Sequence, residues 1–343
     1  MFKCTTQVIL FLFLVATLPS CSMKQSRPGP WRGVHILMTD GGETEQLTEV
    51  VGELAGLGVN TLVVEVNYGY EYQSHPKLSA NNPSSAEQIK ALLNQCRQHD
   101  IRLIPQFQCL GHQSWSKSTF PLLTEYPEFD ETPGAYPDNE DIYCRSWCPQ
   151  HPEVNKVIFA LMDELIDVFQ ADAFHVGMDE VFLIGADQCP RCKGTDKAEL
   201  FAKAVNDYHQ HLVGKRKIEM LMWGDRLIDA QKINYGEWEA SKNDTADALD
   251  LIPKDIIICD WHYELREAYE SVPMFLEKGF RVWPAGWRNL PALQAYVEYS
   301  KQFQNNRMLG HLNTTWGAVP INQLASFEPL RYAVSRFIPE EKK

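Results

Sequence analysis

Eight short apolar, β-branched-rich runs alternate along this chain with longer runs of helical period, at 32–38, 61–66, 102–108, 173–177, 218–223, 256–261, 280–285 and 308–316. Strands joined by crossover helices lie parallel, and this number closes a (β/α)8 TIM barrel, an α/β fold. An open doubly wound sheet is the competing architecture. The helical runs carry their own punctuation. Leu47, Val50, Val51, Leu54 and Leu57 share one helix face, and Gly58 is placed as its C-terminal cap. Ser84 and Glu87 have capping-box spacing ahead of Ile89, Leu92, Leu93 and Cys96. Val154, Val157, Ile158, Leu161, Leu165 and Phe169 predict a long amphipathic helix just before the fourth strand.

The barrel occupies residues 31–340 as one catalytic domain, since no Pro/Gly/Ser-rich linker divides that span. Ahead of it, residues 1–21 have a basic Lys3, an apolar run over 8–18 and small residues before Cys21. That is the pattern of a signal peptide, too short for a spanning helix. LPSC is similar to a lipobox, which makes Cys21 the lipidated first residue and 22–30 a tether; plain secretion is the alternative. Ser22 in place of an aspartate resembles the bacterial lipoproteins sorted to the outer membrane, facing periplasm or surface. The membrane is then met only through the lipid anchor. A formal charge of −13, with no basic run longer than Lys215 to Lys217, argues against a nucleic-acid partner, because phosphate binding needs a basic surface. Oligomeric state is left open.

Barrels of this kind place chemistry at the C-terminal ends of their strands. There the sequence carries Asp40, then Glu65, Asn67 and Tyr68, then His112, Asp179 and Glu180, Trp223 and Asp225, Asp260 to Tyr263, Trp283 and Trp287, and Trp316. The stretch AFHVGMDEVFLIG, 173–185, is the most informative. His175, Gly177 and Asp179 look one way along an extended strand, and Glu180 joins them only if the loop curls. A bare Asp-Glu pair is more often a solvated loop than a site. Here it ends a buried strand whose glycine leaves room for a ligand against the backbone.

HVGMDE resembles the HxGxDE signature of glycoside hydrolase family 20, the β-N-acetylhexosaminidases, with Met178 where many members have glycine. LIPQFQCLGHQSW, 103–115, and DEVFLIG are similar to the hexosaminidase D branch, and the likeness runs from about Trp31 to about Pro329. The resemblance implies an exo-acting enzyme that removes terminal N-acetylglucosamine or N-acetylgalactosamine from amino-sugar glycans. The substrate's own acetamido carbonyl attacks, giving an oxazolinium intermediate and retention, and no cofactor is required. It makes Glu180 the general acid and later base, and Asp179 the partner of the acetamido N–H. His112 becomes a relay to the acid with Glu65 at its other end. A capped loop histidine and a backbone-binding glutamate are the structural alternatives for those two. His175, Trp223, Asp225, Trp261, Trp283 and Trp316 are the expected sugar-binding residues, although any single tryptophan is more often core. Tyr263 is the candidate for the acetamido oxygen. Asp40 stands where the family grips sugar hydroxyls with an arginine, which leaves gluco- and galacto-configured sugars both open. Two other readings stand beside this one: a non-catalytic glycan-binding lipoprotein, and a hydrolase with Glu180 and Asp260 as flanking carboxylates.

Of nine cysteines, Cys4 falls in the leader and Cys21 in the lipobox. Cys144 and Cys148 lie in the insertion after the third strand, and Cys189 and Cys192, in CPRCKG, in the loop after the fourth. Neighbouring strands bring those loops together. A structural zinc is possible, CPRC being similar to a zinc knuckle. Disulfides are favoured by export, and unpaired thiols are the third reading. Cys96, Cys109 and Cys259 sit in apolar runs and are expected in the core.

Overall fold

The computed structural model describes Met1, residues 29–303 and residues 305–338. Residues 2–21 of the expected leader, with Cys21 as the expected acylation site, and most of the 22–30 tether lie outside the described residues. The strands are β1 (Trp31–Leu37), β2 (Thr61–Glu65), β3 (Arg102–Cys109), β4 (Ala173–Gly177), β5 (Glu219–Trp223), β6 (Ile257–Cys259), β7 in two pieces (Arg281–Val282 and Ala285–Gly286) and β8 (Gly310–Thr314). All pair in parallel, and β1 lies between β2 and β8. The ring closes through β7. Its first piece pairs with β6 and its second with β8. At the break, the Trp283 N–H donates to Ile258 (2.8 Å) and the Leu312 N–H to Pro284 (2.9 Å). Pro284 interrupts the ladder because it has no N–H to give. Closure rules out the open doubly wound sheet. The expected runs match these strands to within two residues at every end.

Alternation along the strands grades the barrel interior from dry to polar. Val63, Ile104, Ala173, Leu221 and Ile257 pack with Trp31 and Trp283 in one interior cluster. One step on, the inward positions become Glu65, Gln106, His175, Trp223 and Cys259. Trp283 stands edge-on to Trp31 at 5.1 Å, in space that exists because residue 33 is glycine; a Cβ there would collide with the indole.

Helix α1 (Gly41–Leu57) starts at Asp40, whose carboxylate accepts the Glu43 N–H at 2.9 Å, and ends at Gly58 in the left-handed region with φ 107°. Helix α2 (Ala86–Gln98) is capped by Ser85 with Gln88, one residue later than the expected Ser84 and Glu87. Ser84 instead faces inward onto Thr44 at 2.6 Å. Helix α3 (Val154–Phe169) buries Ile158, Leu161, Leu165 and Phe169, each contributing roughly 1.5–3 kcal/mol. Between β3 and α3 the 110–153 insertion is organised around a charge. Arg145 reaches Asp130 (2.5 Å), Asn139 (2.6 Å) and the carbonyls of Ala135 and Tyr136.

Candidate active site

The curl that Glu180 needs is present after β4. Gly177, Met178 and Glu180 have φ of 67°, 77° and 49°, all left-handed. A side chain in that region costs about 1–3 kcal/mol, so glycine would sit more easily at 178 than methionine does. The turn is held from outside. The Asp225 carboxylate accepts the Glu180 N–H (2.9 Å), and Asn243 donates to the carbonyls of Val181 (2.8 Å) and Phe182 (3.1 Å). Gly177 does not make room for a ligand. A Cβ there would strike the Gln108 amide, which fills that space and donates to Asp179 at 2.5 Å.

Asp179 and Glu180 therefore share one hollow, with His112 across it. The His112 Nε2 is 3.5 Å from Asp179 and 3.2 Å from Glu180. The carboxylate side chains are 9% and 14% exposed, so both reach solvent from a mostly enclosed cup. Burial disfavours the imidazolium, but the charge of Asp179 and the close approach of both carboxylates outweigh it and hold the His112 pKa well above its usual value. Burial likewise opposes ionisation of Asp179, yet His112 and Gln108 pull its pKa below the ordinary carboxylate range. Tyr143 completes the rim, its ring edge-on to His112 at 5.7 Å. Burial, then the Glu180 charge, push that phenol's pKa up.

Beneath this hollow the expected relay runs differently. Glu65 does not meet His112; it binds His35 (3.1 Å), Asn67 (2.8 Å) and Gln106 (2.7 Å). Gln106 approaches Gln108 at 3.5 Å, so the chain from Glu65 leads to Asp179. His175 is fully buried, its Nδ1 accepting the Gly177 N–H at 3.0 Å and its ring 4.6 Å from Trp223. Burial holds its pKa far below the usual value. It lies under the floor, not beside a sugar.

The expected tryptophans divide. Trp223 and Trp283 have no exposure and fill the barrel, because their strand positions point inward. Trp261, Tyr263, Trp287 and Trp316 instead make one wall. Tyr263 lies 4.9 Å from Trp261 and 5.3 Å from Trp287. Its hydroxyl accepts from Trp316 Nε1 (2.7 Å) and meets the Thr314 hydroxyl at 3.1 Å, whose single proton also lies within reach of the Gly286 carbonyl (3.0 Å). Asp225 is 1% exposed and is a support, not a sugar contact: besides Glu180 it holds Trp261 Nε1 (3.1 Å) and Arg226 (2.7 Å). Burial pushes its carboxyl up to about 6 against the pull of Arg226. Asp40 is committed to capping α1. Asp260 is buried on His262 (3.1 Å), Ser271 (2.7 Å) and Tyr296 (2.9 Å), which removes it as a flanking carboxylate.

Sequence reading missed the opposite wall. Tyr143 contacts Trp115 (5.6 Å), Phe182 (5.6 Å) and Trp238 (4.9 Å), and Trp115 and Trp238 are 56% and 45% exposed. These rings come from loops without periodicity, so no pattern announced them. Gln108 did leave a signal, since Gln106 and Gln108 alternate with apolar residues in a strand whose only other polar residue is Arg102 at its start. Among the cysteines, Cys148, Cys189 and Cys192 gather with Glu131, whereas Cys144 stands apart with its sulfur 3.9 Å from the Glu180 carbonyl. The expected set of four thiols is thereby corrected to three and a carboxylate. Cys96, Cys109 and Cys259 are buried, as expected.

The family model for glycosyl hydrolase family 20, catalytic domain, matches residues 61–325. The chain is 24% identical over 192 residues to hexosaminidase D of Bos taurus, covering 53% of this chain and 51% of that one. It is 28% identical over 107 residues to a beta-hexosaminidase of Akkermansia muciniphila, covering 31% and 21%. The chain thus spans about half or less of these relatives' lengths. Among solved structures, the Flavobacterium johnsoniae chitobiase superposes with TM-score 0.66 at 18% identity, over 92% of this chain and 49% of that one. A Vibrio harveyi exo β-N-acetylglucosaminidase, solved with N-acetylglucosamine, gives 0.65 at 18%, over 93% and 56%. At those identities the structures show the shared barrel.

Proposed function

Since the chain belongs to glycosyl hydrolase family 20, we propose that it is an exo-acting β-N-acetylhexosaminidase that removes terminal N-acetylglucosamine or N-acetylgalactosamine with retention, through the substrate's own acetamido group. The observation that carries this reading is the shared hollow of Asp179 and Glu180, closed by His112 at 3.5 and 3.2 Å. Adjacent carboxylates on one strand end cannot flank a sugar ring from opposite faces. They suit a reaction in which one proton donor suffices because the nucleophile arrives with the substrate. Glu180 gives its proton to the leaving oxygen and later takes one from water. Asp179, kept ionised by His112 and Gln108, accepts the acetamido N–H and offsets the positive charge that develops on the ring. Tyr263 donates to the acetamido oxygen, aligning it for attack. Trp261 and Trp316 bound the pocket on that side, where indole faces stack on sugar C–H groups. No cofactor is called on.

The test is release of p-nitrophenol from the two p-nitrophenyl N-acetyl-β-hexosaminides, with Glu180→Gln expected to lose on the order of 10²–10⁴ in kcat. Binding of N-acetylhexosamine by folded wild-type protein without any hydrolysis would overturn the enzymatic reading. Anchoring through a lipid on Cys21 is a proposal from LPSC, and its outer-membrane placement one from Ser22; fatty-acid labelling lost in Cys21→Ala supports the anchor, and unlabelled secreted protein refutes it.

A further inference from the structure

Cys148, Cys189 and Cys192, we propose, hold a structural zinc ion together with Glu131, clamping the two loops that frame the candidate catalytic pair. The sulfur of Cys148 is 3.3 Å from that of Cys192 and 3.4 Å from that of Cys189, and all three residues are at most 1% exposed. Glu131 is fully buried beside them. One of its oxygens accepts the Ala186 N–H at 3.0 Å, and the other, Oε2, is buried with no hydrogen-bond partner among the described residues. The four donor atoms lie within 4.8 Å of one another. A buried carboxylate oxygen left bare beside three thiols is costly unless something positive accepts it.

The donor set selects the ion. Thiolates favour zinc over magnesium or calcium, and a carboxylate completes a closed tetrahedron. Zn–S bonds of about 2.3 Å space the sulfurs by about 3.8 Å, so Cys148 needs to part from each of the other two by only about half an ångström. A disulfide needs sulfurs at about 2.0 Å and uses two of the three, stranding the third beside Glu131. Binding expels the thiol protons to solvent.

The consequence is positional. Glu131 and Cys148 belong to the 110–153 insertion, where the Trp147 N–H donates to Leu110 at 3.0 Å, two residues from His112. Cys189 and Cys192 belong to the loop that leaves Glu180. The ion would fix the spacing of those loops, acting on the carboxylates only through the backbone.

Elemental analysis of the full chain, purified without chelator, tests this. About one zinc per chain is expected, lost in Cys192→Ser and weakened in Glu131→Gln, while Cys144→Ser keeps it. Should Cys192→Ser fail to fold, wild-type protein stripped with a chelator serves instead: its Tm should fall and return with zinc but not magnesium. Reduced protein that takes up no zinc, or an intact mass showing a disulfide among the three thiols, overturns the proposal.

Discussion

The carboxylate of Asp225 accepts the backbone N–H of Glu180 at 2.9 Å across 45 residues of sequence, and the same oxygen holds the Arg226 guanidinium at 2.7 Å. One buried acid thus fixes the turn that aims Glu180 and neutralises a cation with no exposure of its own. Arg226 in turn binds the carbonyls of Glu237, Trp238 and Ala240, tying the loop after β5 to the same point.

Asp225→Ala leaves that guanidinium buried without a counter-ion, a change that costs about 3–5 kcal/mol. Urea denaturation should show a loss of that size, with kcat reduced as well because Glu180 is no longer held. A stability change under 1 kcal/mol would mean the pair is not the anchor described.

Gln108→Leu removes a hydrogen bond that helps keep Asp179 ionised. The sign follows from the depressed folded pKa of Asp179: whatever depends on its charge is intact above the usual carboxylate value and is lost as pH falls through the folded one. The variant raises that folded pKa, so the acid limb of kcat/KM should move to higher pH. An unchanged acid limb would remove Gln108 from the site.

Trp238 is 45% exposed, so Trp238→Ala should leave stability within about 0.5 kcal/mol. If its ring receives the part of the glycan beyond the cleaved bond, KM for a disaccharide substrate rises about tenfold at nearly constant kcat, as loss of uniform binding requires. Equal effects on kcat and on kcat/KM would point to the chemical step instead.

His262 is buried between Glu239 (2.7 Å) and Asp260 (3.1 Å). Burial lowers its pKa, but the charge of Asp260 and the hydrogen bonds of both acids win, raising it to about 9. A raised folded value means that this imidazolium stabilises fully below the unfolded pKa of about 6.5, and that its contribution fades as pH climbs through about 9. Chemical denaturation should lose on the order of 3 kcal/mol from this group across that window. His262→Gln should flatten that slope, and an equally steep one in the variant would assign the loss elsewhere.

Eight strands, their order and the position of Asp179 and Glu180 were legible in the sequence because period-2 and period-3.6 patterns are local: each run declares its element without reference to any other. Gly58 announced a helix end for the same reason. What neighbours make of a residue is not local. Whether a strand-end tryptophan walls a pocket or fills a barrel depends on which way its Cβ points and what lies opposite, which put Trp223 and Trp283 inside and Trp316 at the rim. Asp40, expected at the sugar, became a cap because α1 begins one residue later. Tyr143, Trp238 and Glu131 come from loops whose path is set by contacts such as those of Arg145, and no spacing rule ties such residues to the site they join. Local periodicity fixed where the chain could do chemistry; only long-range packing decided which side chains stand there.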